Sequence, residues 1–298
     1  MAPPPPTSTP DRYAVIGHPI AHSRSPAIHA RFAAATGQSV AYGRIDAAPE
    51  AFKSVVLDFF ESGGRGMNVT LPHKEAAAQL ADHLTDRARV AGAVNTLMRQ
   101  PDGTLLGDNT DGAGLMADLA RLGIRVAGAQ VLVLGAGGAT RGVLGPLLEA
   151  APASLTIANR TPERAQALAA AFGAHVGAAG GNAPATRLSG CGYDALGAPT
   201  GDGPFDLVLH ATSLGLQGAS PPVSPGVLGP RSAAYDLGYG VPDTPFLRWA
   251  RAYGAARAEQ GFGMLIEQAA ESFRVWRGVR PDTTLLHQAP LQQEDVGH

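Results

Sequence analysis

Cysteine is nearly absent from this chain: Cys191 stands alone among 298 residues. One thiol cannot close an internal disulfide or build a cysteine-based zinc site, and no metal is expected. Charge is sparse as well. Asp, Glu, Lys and Arg make up 16% of the residues and the formal net charge is −2. That balance speaks against nucleic acid or an anionic membrane as a partner. No apolar run approaches the length of a transmembrane helix. The first residues lack the basic start and apolar core of a secretory signal, and carry four consecutive prolines instead. These absences predict a soluble, cytoplasmic protein with disordered tails over 1–10 and 288–298.

What is present is apolar residue and glycine. Hydrophobic residues make up 45% of the chain, and its length suffices for two domains of ordinary size. The most informative stretch is Val131-Leu132-Val133-Leu134-Gly135-Ala136-Gly137-Gly138-Ala139-Thr140. An apolar run stops at a glycine cluster and resumes as a helical pattern through Val143 and Leu144, the picture of a buried strand turning into a helix. A helix N-terminus offers unpaired N–H groups to an anion, and glycine lets a pyrophosphate approach the backbone. Thr140 replaces the third glycine of G-x-G-x-x-G. Taken alone, the stretch also fits a glycine-rich turn in another kind of α/β protein.

Before it, strands are expected over 12–17, 40–45 and 66–71, with helices from Ser25 and over 50–61. Ser25 before Pro26 reads as a helix cap; Ser23 has no such role. Lys74 opens a helix, where a cation opposes the dipole. A helix over 84–91 follows, then strands at 94–98 and 105–107 around a Pro101-Asp102-Gly103 turn. Asp108 and Asn109 suit a turn, and Asp111 suits a cap for a helix over 113–122. After the glycine turn, strands are expected at 154–158, 205–209 and 233–237, with helices over 162–172, 246–253 and 263–275. The span 174–203 reads weakly, with a strand suggested at His175-Val176.

Strands alternating with helices predict an α/β fold with a covered parallel sheet, whose ligands sit at the strand carboxyl ends. The glycine turn, the Asn159-Arg160-Thr161 corner, the His210-Ala211-Thr212 corner and Tyr239 all fall there. An NAD site expects an acidic residue roughly 20 residues past the glycines. Here Asn159, Arg160 and Arg164 stand instead, which favours the 2′-phosphate of NADP, although Glu163 is nearby.

At this point the sequence resembles the shikimate dehydrogenases. The motifs stand in order: Ile20-Ala21-His22-Ser23-Arg24-Ser25-Pro26, Asn68-Val69-Thr70-Leu71-Pro72-His73-Lys74, Ala91-Gly92-Ala93-Val94-Asn95-Thr96, Gly107-Asp108-Asn109-Thr110-Asp111-Gly112, Gly135 to Ala139, Asn159-Arg160-Thr161, and Gly263-Met264-Leu265 with Gln268. The resemblance implies reversible, NADP-linked reduction of 3-dehydroshikimate to shikimate, a step toward chorismate and the aromatic amino acids, by a monomer or homodimer. It implies Lys74 and Asp111 as the catalytic pair, with Ser23, Ser25, Thr70, Asn95, Tyr239 and Gln268 joining them on the substrate. It implies Gly135, Ala136, Gly137, Gly138, Ala139, Asn159, Arg160, Thr161 and Arg164 on NADP, with Leu237 and Gly261 near the nicotinamide and Asp86 as a further cofactor contact. The expected organisation is a substrate domain of 11–110 plus 261–287 and a Rossmann-like NADP domain of 111–260, with the active site in the cleft between them. His210 departs from the family's usual Asn, and Gly238 is smaller than expected. A quinate/shikimate dehydrogenase of broader specificity and a non-catalytic NADP-binding sensor on the same fold remain the alternatives.

Overall fold

The computed structural model describes residues 9–178, 186–196, 204–212, 219, 222–240 and 243–288. The chain divides into two compact units, Met1–Thr110 with Ile266–His298, and Asp111–Leu265. Most of the two expected tails lies outside the described residues. Among those described, no helix is long and apolar enough to cross a membrane, and no group of three or more His, Cys, Asp or Glu side chains could hold a metal ion.

In chain order the first unit contains β1 (Asp11–Gly17), α1 (Ser25–Thr36), β2 (Val40–Asp46), α2 (Phe52–Glu61), β3 (Gly64–Val69), α3 (Lys74–Leu80), β4 (His83–Leu84), α4 (Asp86–Ala91), β5 (Thr96–Arg99) and β6 (Leu105–Asp108). The second contains α5 (Asp111–Arg121), β7 (Gln130–Leu134), α6 (Gly138–Glu149), β8 (Ser154–Asn159), α7 (Pro162–Ala178), β9 (Arg187–Gly192), β10 (Leu207–His210), β11 (Ala233–Asp236), α8 (Pro245–Ala252) and β12 (Arg257–Gln260). The division falls inside α9 (Phe262–Arg277), and α10 (Thr284–Gln288) closes the described chain.

The first unit is built on a six-stranded sheet of order β2-β1-β3-β5-β6-β4. Its β1 pairs in parallel with β2 and β3, while β5 runs antiparallel to β3 and β6. Ile16, Met67, Val69, Val94 and Leu97 face a core closed by Val56 and Phe60 of α2. The second unit holds a parallel six-stranded sheet of order β12-β11-β10-β7-β8-β9. The chain order reverses between β7 and β10, which makes their carboxyl ends the crevice where ligands of such sheets sit. Val131, Leu132, Val133 and Leu134 are all at 0% exposure. Both faces of β7 are covered, as its unbroken apolar run requires.

Several expectations are corrected. The 84–91 helix is the two-residue strand β4 followed by α4, because Thr85 caps α4 by accepting from Ala88 N–H. His175 and Val176 continue α7 as helix. Strands β9 and β12 are additional, each an edge strand paired to a buried neighbour. Asp108 is not a turn residue: it ends β6 at 2% exposure, with Arg87 Nη2 at 2.5 Å. Burial alone would raise its carboxyl, but hydrogen bonds from Arg87 and Thr85 outweigh that and hold its pKa below the usual range.

Candidate active site

In the first unit Thr70, Lys74, Asn95 and Gln268 are linked by backbone and amide contacts, and Ser23 and Ser25 form a separate pair. Thr70 follows β3 and its N–H donates to Ile16 O of β1 at 2.9 Å. The turn through Pro72 closes with His73 N–H on Thr70 O at 3.0 Å. Gly17 is required beside it, since a Cβ there would meet Thr70 Cγ2 at 2.6 Å. Lys74 is the first residue of α3 and half-buried. Its carbonyl accepts from Val94 N–H at 2.8 Å, and Val69 N–H donates to Asn95 O at 2.8 Å. Thr70, Lys74 and Asn95 therefore belong to adjoining backbone.

Asn95 and Gln268 lie in a buried polar cluster with Asn68, Thr96, Thr110 and Ser272. Asn95 Oδ1 accepts from Thr110 N–H at 2.9 Å and from the Thr96 hydroxyl at 2.8 Å. Its Nδ2 donates to Thr110 Oγ1 at 2.9 Å and Gln268 Oε1 at 3.2 Å. The backbone donor fixes the orientation of Asn95, and Asn95 in turn holds the Gln268 oxygen inward in the cluster. Asn68 Nδ2 supports the cluster from below, donating to Asn95 O and Thr96 Oγ1 at 3.2 Å each and to Ser272 Oγ at 3.0 Å.

Ser23 and Ser25 follow β1 and are buried at 1% and 5% exposure. Ser25 does not cap α1. The cap position is Arg24 and no side chain accepts there. Instead the Ser23 hydroxyl lies 3.2 Å from that of Ser25 and accepts Ser25 N–H at 3.3 Å. Arg44 clamps the Ser23 carbonyl through Nε at 3.0 Å and Nη2 at 2.8 Å. Asp86 is set apart: its side chain is 96% exposed and it pairs with Arg89 at 2.5 Å.

Two supporting residues lie within a motif already singled out, yet its reading gives them no role. His73 stands inside the Asn68–Lys74 motif. It is 2% exposed, donates from Nε2 to Ala47 O at 2.8 Å and stacks on Phe52, anchoring the turn that presents Lys74. Asn68 opens the same motif. Arg44 and Ser272 give no such signal, because each reads as ordinary strand or helix polarity.

In the second unit the glycine turn joins β7 to α6. Gly135 has φ +114°, a conformation that disfavours any side chain. A Cβ there would come 3.0 Å from both Ala211 O and Thr212 Cγ2. Gly137 caps α6, which begins at Gly138. Ala136, Gly138 and Ala139 are half-buried. Thr140 is buried and donates to Gly135 O at 2.9 Å, so it braces the turn. At the end of β8, Asn159 Nδ2 donates to Thr161 O at 3.0 Å, and Arg160, Thr161 and Arg164 are exposed. Leu237 and Gly261 are brought together, since a Cβ at Gly261 would lie 2.5 Å from Leu237 O. Tyr239 is half-buried two residues on from Leu237, and Asp111 is buried as the first residue of α5.

The chain is similar to known proteins along its length. Residues 15–97 match the shikimate dehydrogenase substrate binding domain, residues 118–180 the shikimate / quinate 5-dehydrogenase family, and residues 261–289 the shikimate 5'-dehydrogenase C-terminal domain. It is 51% identical to the shikimate dehydrogenase (NADP(+)) of Aeromonas salmonicida (strain A449), over 92% of this chain and 94% of that one. Among solved structures, an Ael1 enzyme from Pseudomonas putida superposes with a TM-score of 0.81 at 44% identity, covering 95% of this chain and 100% of that chain. Shikimate 5-dehydrogenase from Thermus thermophilus, in complex with NADP(H) and shikimate, superposes with a TM-score of 0.78 at 36% identity, covering 93% of this chain and 97% of that chain. With half of its residues identical to such a relative over nearly its full length, the chain belongs to the shikimate dehydrogenase family.

Proposed function

We propose that this chain is a shikimate dehydrogenase, catalysing the reversible NADPH-dependent reduction of 3-dehydroshikimate to shikimate. The observation that carries the reading is the buried amide and hydroxyl cluster around Asn95 and Gln268, joined through Val94 to Lys74. A polyhydroxy acid needs amide, hydroxyl and cationic partners, and this unit assembles them. Ser23 and Ser25 offer hydroxyls to the carboxylate. Thr70, Asn95 and Gln268 are the residues of this unit assigned to the ring hydroxyls, and Tyr239 and Asp111 are the substrate residues of the second unit.

The residues of the second unit fit NADP. The Gly135 turn leaves no space for a side chain and ends at a helix N-terminus. Arg160 and Arg164, with Asn159 and Thr161, form a cationic, donor-rich corner suited to a 2′-phosphate. Bound there, the nicotinamide supplies or accepts the hydride. Lys74 Nζ takes or returns the proton of the reacting oxygen and stabilises its developing negative charge. Asp111 is the second, acidic catalytic residue. On this reading the first unit binds substrate, the second binds NADP, and the enzyme works in the cytoplasm on the route to chorismate.

The test follows NADPH formation with shikimate. Lys74→Ala should lower kcat by about 10²- to 10⁴-fold with a much smaller change in KM for shikimate. An unchanged kcat overturns the assignment. Parallel rates with quinate and with NAD measure how narrow the specificity is.

A further inference from the structure

Strand β2 lies at the edge of the first unit's sheet, and two alternate residues of it hold the segment between β1 and α1. Asp46 accepts Ile20 N–H at 3.2 Å and lies 2.6 Å from His18 Nδ1. Two residues back, Arg44 donates from Nε and Nη2 to the single carbonyl of Ser23, at 3.0 and 2.8 Å. Ser23 N–H closes the segment on Ile20 O at 2.9 Å. These contacts explain the shape of the segment. They do not explain the charge, since a neutral amide can also hold a carbonyl. A guanidinium keeps its charge in proteins. Arg87 and Arg277, half-buried in the same unit, are each paired with a carboxylate. Arg44 is half-buried too, yet among the described residues no carboxylate lies within ion-pair distance of it. The Asp46 carboxylate is engaged by His18 and Ile20.

A charge drawn partly out of water with no counter-ion costs stability unless an anion arrives to meet it. The carbonyl that Arg44 grips belongs to Ser23, which is 1% exposed and whose hydroxyl lies 3.2 Å from that of Ser25. Two hydroxyls orient a carboxylate, but they are neutral and do not balance its charge. We propose that Arg44 is a positioning residue that fixes Ser23 and supplies the positive potential for the substrate carboxylate without touching it. The Ser23 and Ser25 pair then selects an anionic ring acid over a neutral polyol of the same shape. The proposal rests on Ser23 and Ser25 being the carboxylate site.

Steady-state shikimate oxidation at saturating NADP tests it, using the full chain as wild type, Arg44→Gln and Arg44→Lys at low and high KCl. The methyl ester of shikimate, which carries no charge, is the control ligand. Gln keeps an N–H for the Ser23 carbonyl and gives up the charge. Arg44→Gln should raise KM for shikimate about 10-fold at low salt, with kcat within about 2-fold. Arg44→Lys, which keeps the charge, should stay within about 3-fold of the wild-type KM. Added KCl should raise the wild-type KM for shikimate and change that of Arg44→Gln much less, because salt screens only a charge that is present. The ester, measured as an inhibitor, should bind wild type and Arg44→Gln equally. An unchanged KM in Arg44→Gln overturns the proposal. So does a loss in Arg44→Lys as large as in Arg44→Gln, an equal salt response in wild type and Arg44→Gln, or a loss for the ester as large as for shikimate. If Arg44→Gln does not fold, a wild-type KM for shikimate that ignores KCl overturns the proposal. A wild type that does not oxidise shikimate overturns the substrate reading and the proposal together.

Discussion

His29 should make the first unit lose stability in weak acid. Its imidazole is at 0% exposure, stacked on Tyr42 at 4.2 Å and packed against Phe32, Phe273 and Trp276. Among the described residues neither ring nitrogen has a hydrogen-bond partner. Burial pushes its pKa down from 6.5 to about 3. Nearby Asn68 offsets little of this, since its amide is committed to Asn95, Thr96, Ser272 and Tyr42. The unfolded chain takes up the proton near pH 6.5, whereas the folded chain refuses it until about pH 3. Between those values the unfolded state binds more protons, so stability is full above the unfolded pKa and falls as the pH falls. Each unit of pH in that window costs about 1.4 kcal/mol, so lowering the pH to 5 should cost about 2 kcal/mol from this one ring. Phenylalanine fills the same aromatic site and cannot be protonated. Urea unfolding of a Trp249→Phe background, read by Trp276 fluorescence beside His29, should show the His29→Phe variant losing about 2 kcal/mol less than its parent between pH 7.5 and 5. Parallel losses in the two proteins would refute the account.

Two further outcomes follow from packing in the two units. Arg87 bridges Asp108 at 2.5 Å and Glu271 at 3.0 Å, and hydrogen bonds from Arg274 and Arg87 hold Glu271 down to about 2. Arg87→Met strands the buried Asp108 carboxylate, while Glu271 keeps Arg274 and Arg280, and should cost about 3–5 kcal/mol, read as a lower urea midpoint, whereas a cost below about 1 kcal/mol would show that water screens the group. Gly261→Ala places a methyl 2.5 Å from Leu237 O, a backbone atom that cannot swing away. It should weaken NADP binding and lower kcat, with shikimate affinity measured separately as the internal control.

The legible parts of the fold are those whose burial repeats in the residue pattern. Strands β1, β7, β10 and β11 carry apolar runs at 13–16, 131–134, 207–209 and 233–235, and β8 carries one broken only by Thr156, because both of their faces are covered. The missed strands lie at the sheet edges and take their conformation from a neighbour. Arg257-Ala258-Glu259-Gln260 has no apolar run, and its pairing to β11 alone makes it a strand. Arg187–Gly192 carries two glycines and lies in the weakly periodic span 174–203. Gly190 is nevertheless in the ladder because α7 passes over it, and a Cβ there would meet Ala165 O at 2.3 Å. Close approach and tight turning both call for glycine, and only the three-dimensional neighbour tells them apart.

The same distinction governs the candidate site. Each polar residue before a helix has a capping role open to it, and the structure divides them by where the side-chain oxygen goes. Thr85 and Thr244 accept an N–H of their own helix, from Ala88 and Leu247. Ser25 accepts none, and its hydroxyl meets Ser23 instead. Lys74 stands out by electrostatics alone. The first turn of a seven-residue helix gains nothing from a cation, since its free N–H groups repel one. His73 is buried and hydrogen-bonded to hold that turn in place, so the fold fixes a lysine where the helix itself would favour an acid. A position that costs local stability, yet is braced by its neighbour, is where binding or chemistry has to supply the reason for the residue.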